Sequence, residues 1–158
     1  MLLRKTPCVE KYCNEKSWAI ILLNQNKKYE NPKHLSPLTL AFLGDAVFEL
    51  LVREELVSQA NAPVGKLHKK AVGIVCAGAQ SNAVTLLEPV LTAEETEIYK
   101  RGRNTNGHHV PKNADPASYR RATGLEALFG YLYLQGKTER ILELFNMIQH
   151  ETAENSEH

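Results

Sequence analysis

Two carboxylates, Asp45 and Glu126, stand alone inside stretches otherwise built for burial. Asp45 lies within the run from Leu40 to Val52, where Leu43, Val47, Leu50 and Leu51 recur on one helix face and Phe42 and Phe48 fill other sides. Glu126 lies within a second apolar run, from Arg121 to Leu134. Removing a carboxylate from water without a partner costs several kcal/mol, so each acid needs a reason to be there. Gly44 directly precedes Asp45, and glycines also lie close to Glu126. A helical glycine costs about 1 kcal/mol relative to alanine and marks a place where something approaches the backbone. If the two stretches pack together, their acids either raise each other's pKa or hold a divalent cation. Glu49, at i+4 from Asp45, can share its face.

The elements that position these acids are helical. Ser36-Pro37 reads as N-cap and first helical residue of the Asp45 helix, which runs on through Val57 and stops before Pro63. A next helix is expected over Val64 to Leu87; its second half, small and apolar with Gly73 and Gly78, suits close packing, while Gln80, Ser81 and Asn82 read first as polar caps or surface and only second as ligand contacts. Thr92 and Glu95 have capping-box spacing and open another helix. Asp115-Pro116 starts the Glu126 helix, which ends at the turn Gln135-Gly136-Lys137. A last amphipathic helix, Thr138 to Gln149, turns Ile141, Leu142, Leu144, Phe145 and Ile148 inward. No period-two alternation bounded by hairpin turns competes, so the expected class is all-α with about six to seven helices. Residues 1–34 form an N-terminal segment of unassigned role, 35–149 the helical domain and 150–158 a polar tail.

Cations gather in three places. Lys66, His68, Lys69 and Lys70 crowd the start of one helix, where the macrodipole disfavours them; a phosphate-facing patch and ordinary solvation both account for that. Lys100, Arg101 and Arg103 come beside a loop, Thr105 to Asp115, that holds His108, His109 and Lys112. A basic last turn would complement the dipole, but such a cluster also suits phosphates, Arg by bidentate hydrogen bonds and Lys as a point charge. Arg120 and Arg121 reach either toward a polyanion or toward local acids.

The 158 residues match one domain, and the net charge of +1 excludes a uniformly basic nucleic-acid binder, leaving local patches to supply any such affinity. Cys8, Cys13 and Cys76 are odd in number and scattered, which fits unpaired thiols in a reducing, cytoplasmic setting. No long uncharged apolar run is present for a membrane span, and the first residues lack the apolar core of a signal peptide.

The run Phe42-Leu43-Gly44-Asp45-Ala46-Val47 with Glu49-Leu50 resembles the signature helix of the ribonuclease III nuclease domain, and Glu126-Ala127-Leu128-Phe129-Gly130 resembles its second metal-binding helix. Lys100-Arg101-Gly102-Arg103-Asn104, Pro111-Lys112-Asn113-Ala114, Tyr119-Arg120 and Ala122-Thr123-Gly124 are similar to the short bacterial group of that family, Mini-ribonuclease III, which lacks the double-stranded-RNA-binding domain. The resemblance covers Leu35 to Met147. It implies a homodimer with one RNA groove across its interface. It implies hydrolysis of double-stranded RNA by Mg2+ bound to Asp45 and Glu126, with Asp45 catalytic, leaving a 5′-phosphate and a short 3′ overhang. RNA contacts would come from Lys66, Lys69, Lys100, Arg101, Arg103, Lys112 and Arg120. The substrate so implied is the paired stalk of the large-subunit ribosomal RNA precursor, with a ribosomal protein on that RNA as a further partner.

Full-length ribonuclease III proteins carry a Glu where this chain has Ala41 and an Asp where it has Thr123; the short group shares the thinner acid set. Two other readings remain open from the residues. One is a non-catalytic RNA-binding or ribosome-assembly module on the same fold. The other is a helical interaction domain, which needs a basic partner for Asp45; the nearest candidate, Arg53, is two turns away.

Overall fold

Ser36 caps the first long helix: its Oγ accepts from Thr39 N at 3.1 Å, and Pro37 follows at the first helical position. In the computed structural model, which describes residues 31–105 and 115–154 and the side chains as far as residue 149, this helix, α1, spans Pro37–Gln59. The chain continues through α2 (Val64–Val75), α3 (Ala77–Leu87), α4 (Ala93–Arg103), α5 (Pro116–Leu134) and α6 (Thr138–Glu154). Short 3-10 turns precede α1 and α4, and no strand occurs among the described residues. The class is all-α, as expected. His108, His109, Lys112 and most of residues 1–34 lie outside the described residues.

The hub is α5, which packs against α1, α3, α4 and α6. Asp115 caps it, accepting from Ser118 N at 2.8 Å, and Leu125, Ala127, Leu128, Phe129, Tyr131 and Leu132 are fully buried along it. Phe48 of α1 meets Phe129 of α5 and Phe145 of α6 edge-on, with ring centroids 5.4 and 5.8 Å apart. Such pairs add about 1 kcal/mol each beyond their buried area. On α6, Ile141, Leu144, Phe145 and Ile148 are buried, so the amphipathic reading of that helix holds. Gly136, at φ 70°, makes the left-handed turn from α5 into α6, where Lys137 N donates back to Leu132 O at 3.0 Å.

One expected helix is two. The run Val64 to Leu87 breaks at Cys76, whose backbone is extended at φ −66° and ψ 151°, and the parts meet at a bend of 52°. The bend lets α3 turn Gln80, Ala83, Val84 and Leu87 onto the core, whereas α2 buries only Ala71. The β-branched Ile74-Val75 pair and the flanking Gly73 and Gly78 weaken the helix there, and packing on α5 supplies the reward for breaking it. No single described helix is long and apolar enough to cross a membrane.

Candidate metal centre

Two glycines bring the acids together. A Cβ at Gly44 would collide with the Glu126 carbonyl oxygen and lie 2.6 Å from Gly130 N; a Cβ at Gly130 would collide with Leu40 O. The backbones of α1 and α5 therefore touch at this crossing. Asp45 follows Gly44, and Glu126 sits one turn before Gly130, so the crossing sets the two carboxylates side by side. The close approach read from Gly44 is the approach of α5.

The acids are not equally buried. Glu126 is half-buried, but Asp45 is exposed, on a face of α1 shared with Phe42, Ala46 and Leu50. An apolar helix surface nearly all round suggested burial of Asp45; α1 instead spends its core face on Gly44, Val47, Phe48 and Leu51 and leaves the Asp45 face bare. Among the described residues no cation pairs with either acid. Arg53, the one nearby candidate in sequence, donates to Glu49 instead, at 3.0 and 2.8 Å. Burial first, and the Asp45 charge second, push the Glu126 carboxyl up to about 7. Burial and the nearby Glu49 also raise Asp45.

The third wall of the site comes from α3. Gln80 is 1% exposed, and neither its Nε2 nor its Oε1 has a hydrogen-bond partner. Its amide stands beside the Glu126 carboxyl, where it favours the ionised form without closing a hydrogen bond. The first reading of Gln80, a cap or surface group, fails, and only the second, a ligand contact, stays open; its spacing to Ala83, Val84 and Leu87 on one stripe was the signal for its burial. Ser81 is buried too, and only Asn82 is exposed. Arg121 of α5 locks α3 in place, donating to Ser81 O at 3.1 Å and Thr85 Oγ1 at 2.7 Å, so this arginine serves the packing.

The donors are hard oxygens: two carboxylates and one amide. No thiol or imidazole joins them, and no group of three His, Cys, Asp or Glu gathers anywhere among the described residues. Oxygen donors few enough to leave room for waters suit a hard divalent cation of the Mg2+ class. Two like charges without a counter-ion, walled by an unpartnered buried amide, fit such a cation better than they fit a structural role.

Of the basic residues, Lys66, Lys69, Lys100 and Arg120 are exposed. Arg101 is half-buried, donating to the carbonyls of Lys33 at 2.9 Å and Leu35 at 3.2 Å. Arg103 lies over the Tyr99 ring, 5.7 Å from its centre.

The Ribonuclease III domain model matches residues 38–137, a span that includes Asp45, Gln80 and Glu126. The chain is 50% identical over 114 residues to the Mini-ribonuclease 3 of Symbiobacterium thermophilum, covering 72% of this chain and 88% of that one. It is 47% identical to the Mini-ribonuclease 3 of Thermoanaerobacter sp., over 72% of this chain and 80% of the relative. This chain belongs to the Mini-ribonuclease 3 branch of the ribonuclease III family. A crystal structure of a protein from Fusobacterium nucleatum superposes with a TM-score of 0.70 at 33% identity, covering 75% of this chain and 95% of that one. The ribonuclease III fold is thus built here from six α-helices among the described residues, with Asp45 and Glu126 meeting at the α1–α5 crossing.

Proposed function

We propose that this ribonuclease III-family endoribonuclease hydrolyses double-stranded RNA with Mg2+ held between Asp45 and Glu126, acting as a homodimer in the cytoplasm. The observation that carries the reading is the pair itself: two carboxylates at a glycine crossing with no cation among the described residues to neutralise them. Bound there, Mg2+ would neutralise the scissile phosphate and lower the pKa of the attacking water. The chain's own part is to hold the two carboxylates in register through Gly44 and Gly130, and to keep Glu126 in a half-dry setting where charge interactions are stronger.

The homodimer is supported by α1. Leu38, Phe42 and Leu50, which are 37%, 83% and 47% exposed, follow one another at multiples of four along the face that carries Asp45. Large apolar side chains bared in such a row mark a contact surface for a second copy of the chain. The proposed RNA contacts are Lys66, Lys69, Lys100, Arg103, Arg120 and Lys112, with Arg101 bracing the base of the patch against the Lys33 and Leu35 carbonyls. Recognition is by A-form shape and backbone, because the deep major groove hides base edges. The family resemblance supports the large-subunit ribosomal RNA precursor as substrate, with a ribosomal protein on that RNA. The free, exposed thiol of Cys76 supports a reducing compartment.

Cleavage of an end-labelled RNA duplex by wild type and Asp45→Asn, each in Mg2+ and in EDTA, tests the reading. Wild type should cut only with metal, and Asp45→Asn should lose at least about 1,000-fold in rate while still shifting the RNA on a gel, since several kcal/mol of charge stabilisation depend on the cation. RNA left intact by wild type, with binding retained, would favour the non-catalytic module.

A further inference from the structure

We propose that Gln80 is the third protein side chain of the cation site, its Nε2 fixing the Glu126 carboxylate and its Oε1 presenting a neutral hard oxygen to the divalent cation. The inference rests on the metal reading above and adds a residue to it. The amide is fully buried; its Nε2 stands by the Glu126 carboxyl without closing a hydrogen bond, and its Oε1, with no partner among the described residues, forfeits about 1 to 3 kcal/mol of hydrogen bonding. A merely structural role would have been better served by leucine at that position of the stripe formed with Ala83, Val84 and Leu87.

The placement is specific. Gln80 is the residue of α3 that stands at the Glu126 carboxyl, and α3 is held there by the Arg121 bonds to Ser81 and Thr85 and by the break at Cys76 that aims the helix inward. Amide oxygens join carboxylates and water in binding hard cations. A neutral third oxygen also adds no further negative charge beside Asp45 and Glu126, which already lack a counter-ion among the described residues. Neighbours that orient a ligand change metal affinity by about 10- to 100-fold when removed.

The full-length protein without RNA is titrated with Mn2+, free ion being read by electron paramagnetic resonance, for wild type, Gln80→Leu, Gln80→Glu and Asp45→Asn. The Mg2+ concentration for half-maximal cleavage and the melting temperature of the metal-free form are measured alongside. Gln80→Leu should weaken Mn2+ binding at least about tenfold, raise the Mg2+ requirement in parallel, and melt no lower than wild type without metal. Gln80→Glu, which restores an oxygen, should bind Mn2+ at least as tightly as wild type. Should Gln80→Leu fail to fold, Gln80→Met carries the same comparison. Unchanged Mn2+ affinity and Mg2+ requirement in a folded Gln80→Leu or Gln80→Met overturn the assignment while leaving the nuclease reading intact. Wild type that neither takes up Mn2+ nor cuts, or Asp45→Asn that binds Mn2+ as wild type does, overturns both.

Discussion

Two glutamates, Glu95 on α4 and Glu126 on α5, are treated by the fold in opposite ways. Glu95, at the start of α4, is 3% exposed, yet both of its oxygens have donors. Its Oε2 accepts from Thr92 N at 2.9 Å to close the capping box, and Arg140 of α6 grips both oxygens at 2.9 Å. Despite burial, these bonds hold its carboxyl below the usual carboxylate range. Glu126 is less buried but faces another acid and an unpartnered amide, and burial and Asp45 push its carboxyl up to about 7. The same side chain is thus a finished rivet in one place and an open socket in the other. Burial does not distinguish the two roles; the identity of the partner does.

The glycine crossing carries the open site, so filling it should have the largest effect. Gly44→Ala puts a methyl into the Glu126 carbonyl, backbone against backbone, and should cost about 4 kcal/mol or more in urea unfolding, beyond the usual range for overpacking. Gly73→Ala, on a helix with open space around it, should stabilise by about 0.5 to 1 kcal/mol. Equal effects from the two would mean that the helices can slide apart at the crossing. The rivet comes next. Arg140→Met strips Glu95 of its guanidinium and should cost about 3 kcal/mol, because an uncompensated buried charge is left behind. The Mg2+ requirement of the enzyme that still folds should not move, since Arg140 lies outside the site. A changed metal dependence would show that the two glutamates are coupled after all.

What the sequence made legible was whatever is local or anomalous. Helix caps at Ser36, Thr92 and Asp115 are written within three or four residues, and an acid or glycine inside an apolar run announces itself. The pairing of α1 with α5 followed because both carried the same anomaly. Partners far apart in the chain were not legible. Nothing near Glu95 says that Arg140 will reach it, nothing near Arg101 names the carbonyls of Lys33 and Leu35, and Arg121, read as reaching either RNA or a local acid, comes within 3.9 Å of Glu88 but also bonds the Ser81 carbonyl, which nothing near it names. Gln80 was misread for a different reason. Its type says surface while its spacing says core, and type was given the greater weight. The break at Cys76 had no proline to mark it; it exists because α3 gains more by packing on α5 than a straight helix would.

The smallest effect is the most diagnostic of the open socket. In the unfolded chain Glu126 titrates at its ordinary value of 4.5, and in the metal-free fold at about 7. Between those values the folded state binds more protons than the unfolded one, so stability falls as pH rises through that window and levels off above it. For a half-buried group the loss should be about 2 kcal/mol. Glu94, held down at about 2 by bonds from Lys33 and Tyr131, and Glu95, also lowered, change stability only at more acid pH, while Asp45, raised by burial and then by Glu49, acts in the same direction as Glu126 but in wild type and Glu126→Gln alike. Urea unfolding in EDTA from pH 5 to 8 should therefore show wild type weakening relative to Glu126→Gln, whose amide has no proton to lose. Mg2+ should restore wild type progressively as pH rises, because the cation takes the place of that proton. Parallel curves for wild type and Glu126→Gln would mean that Glu126 is already matched within the fold, as Glu95 is, and the contrast between the two glutamates would fall.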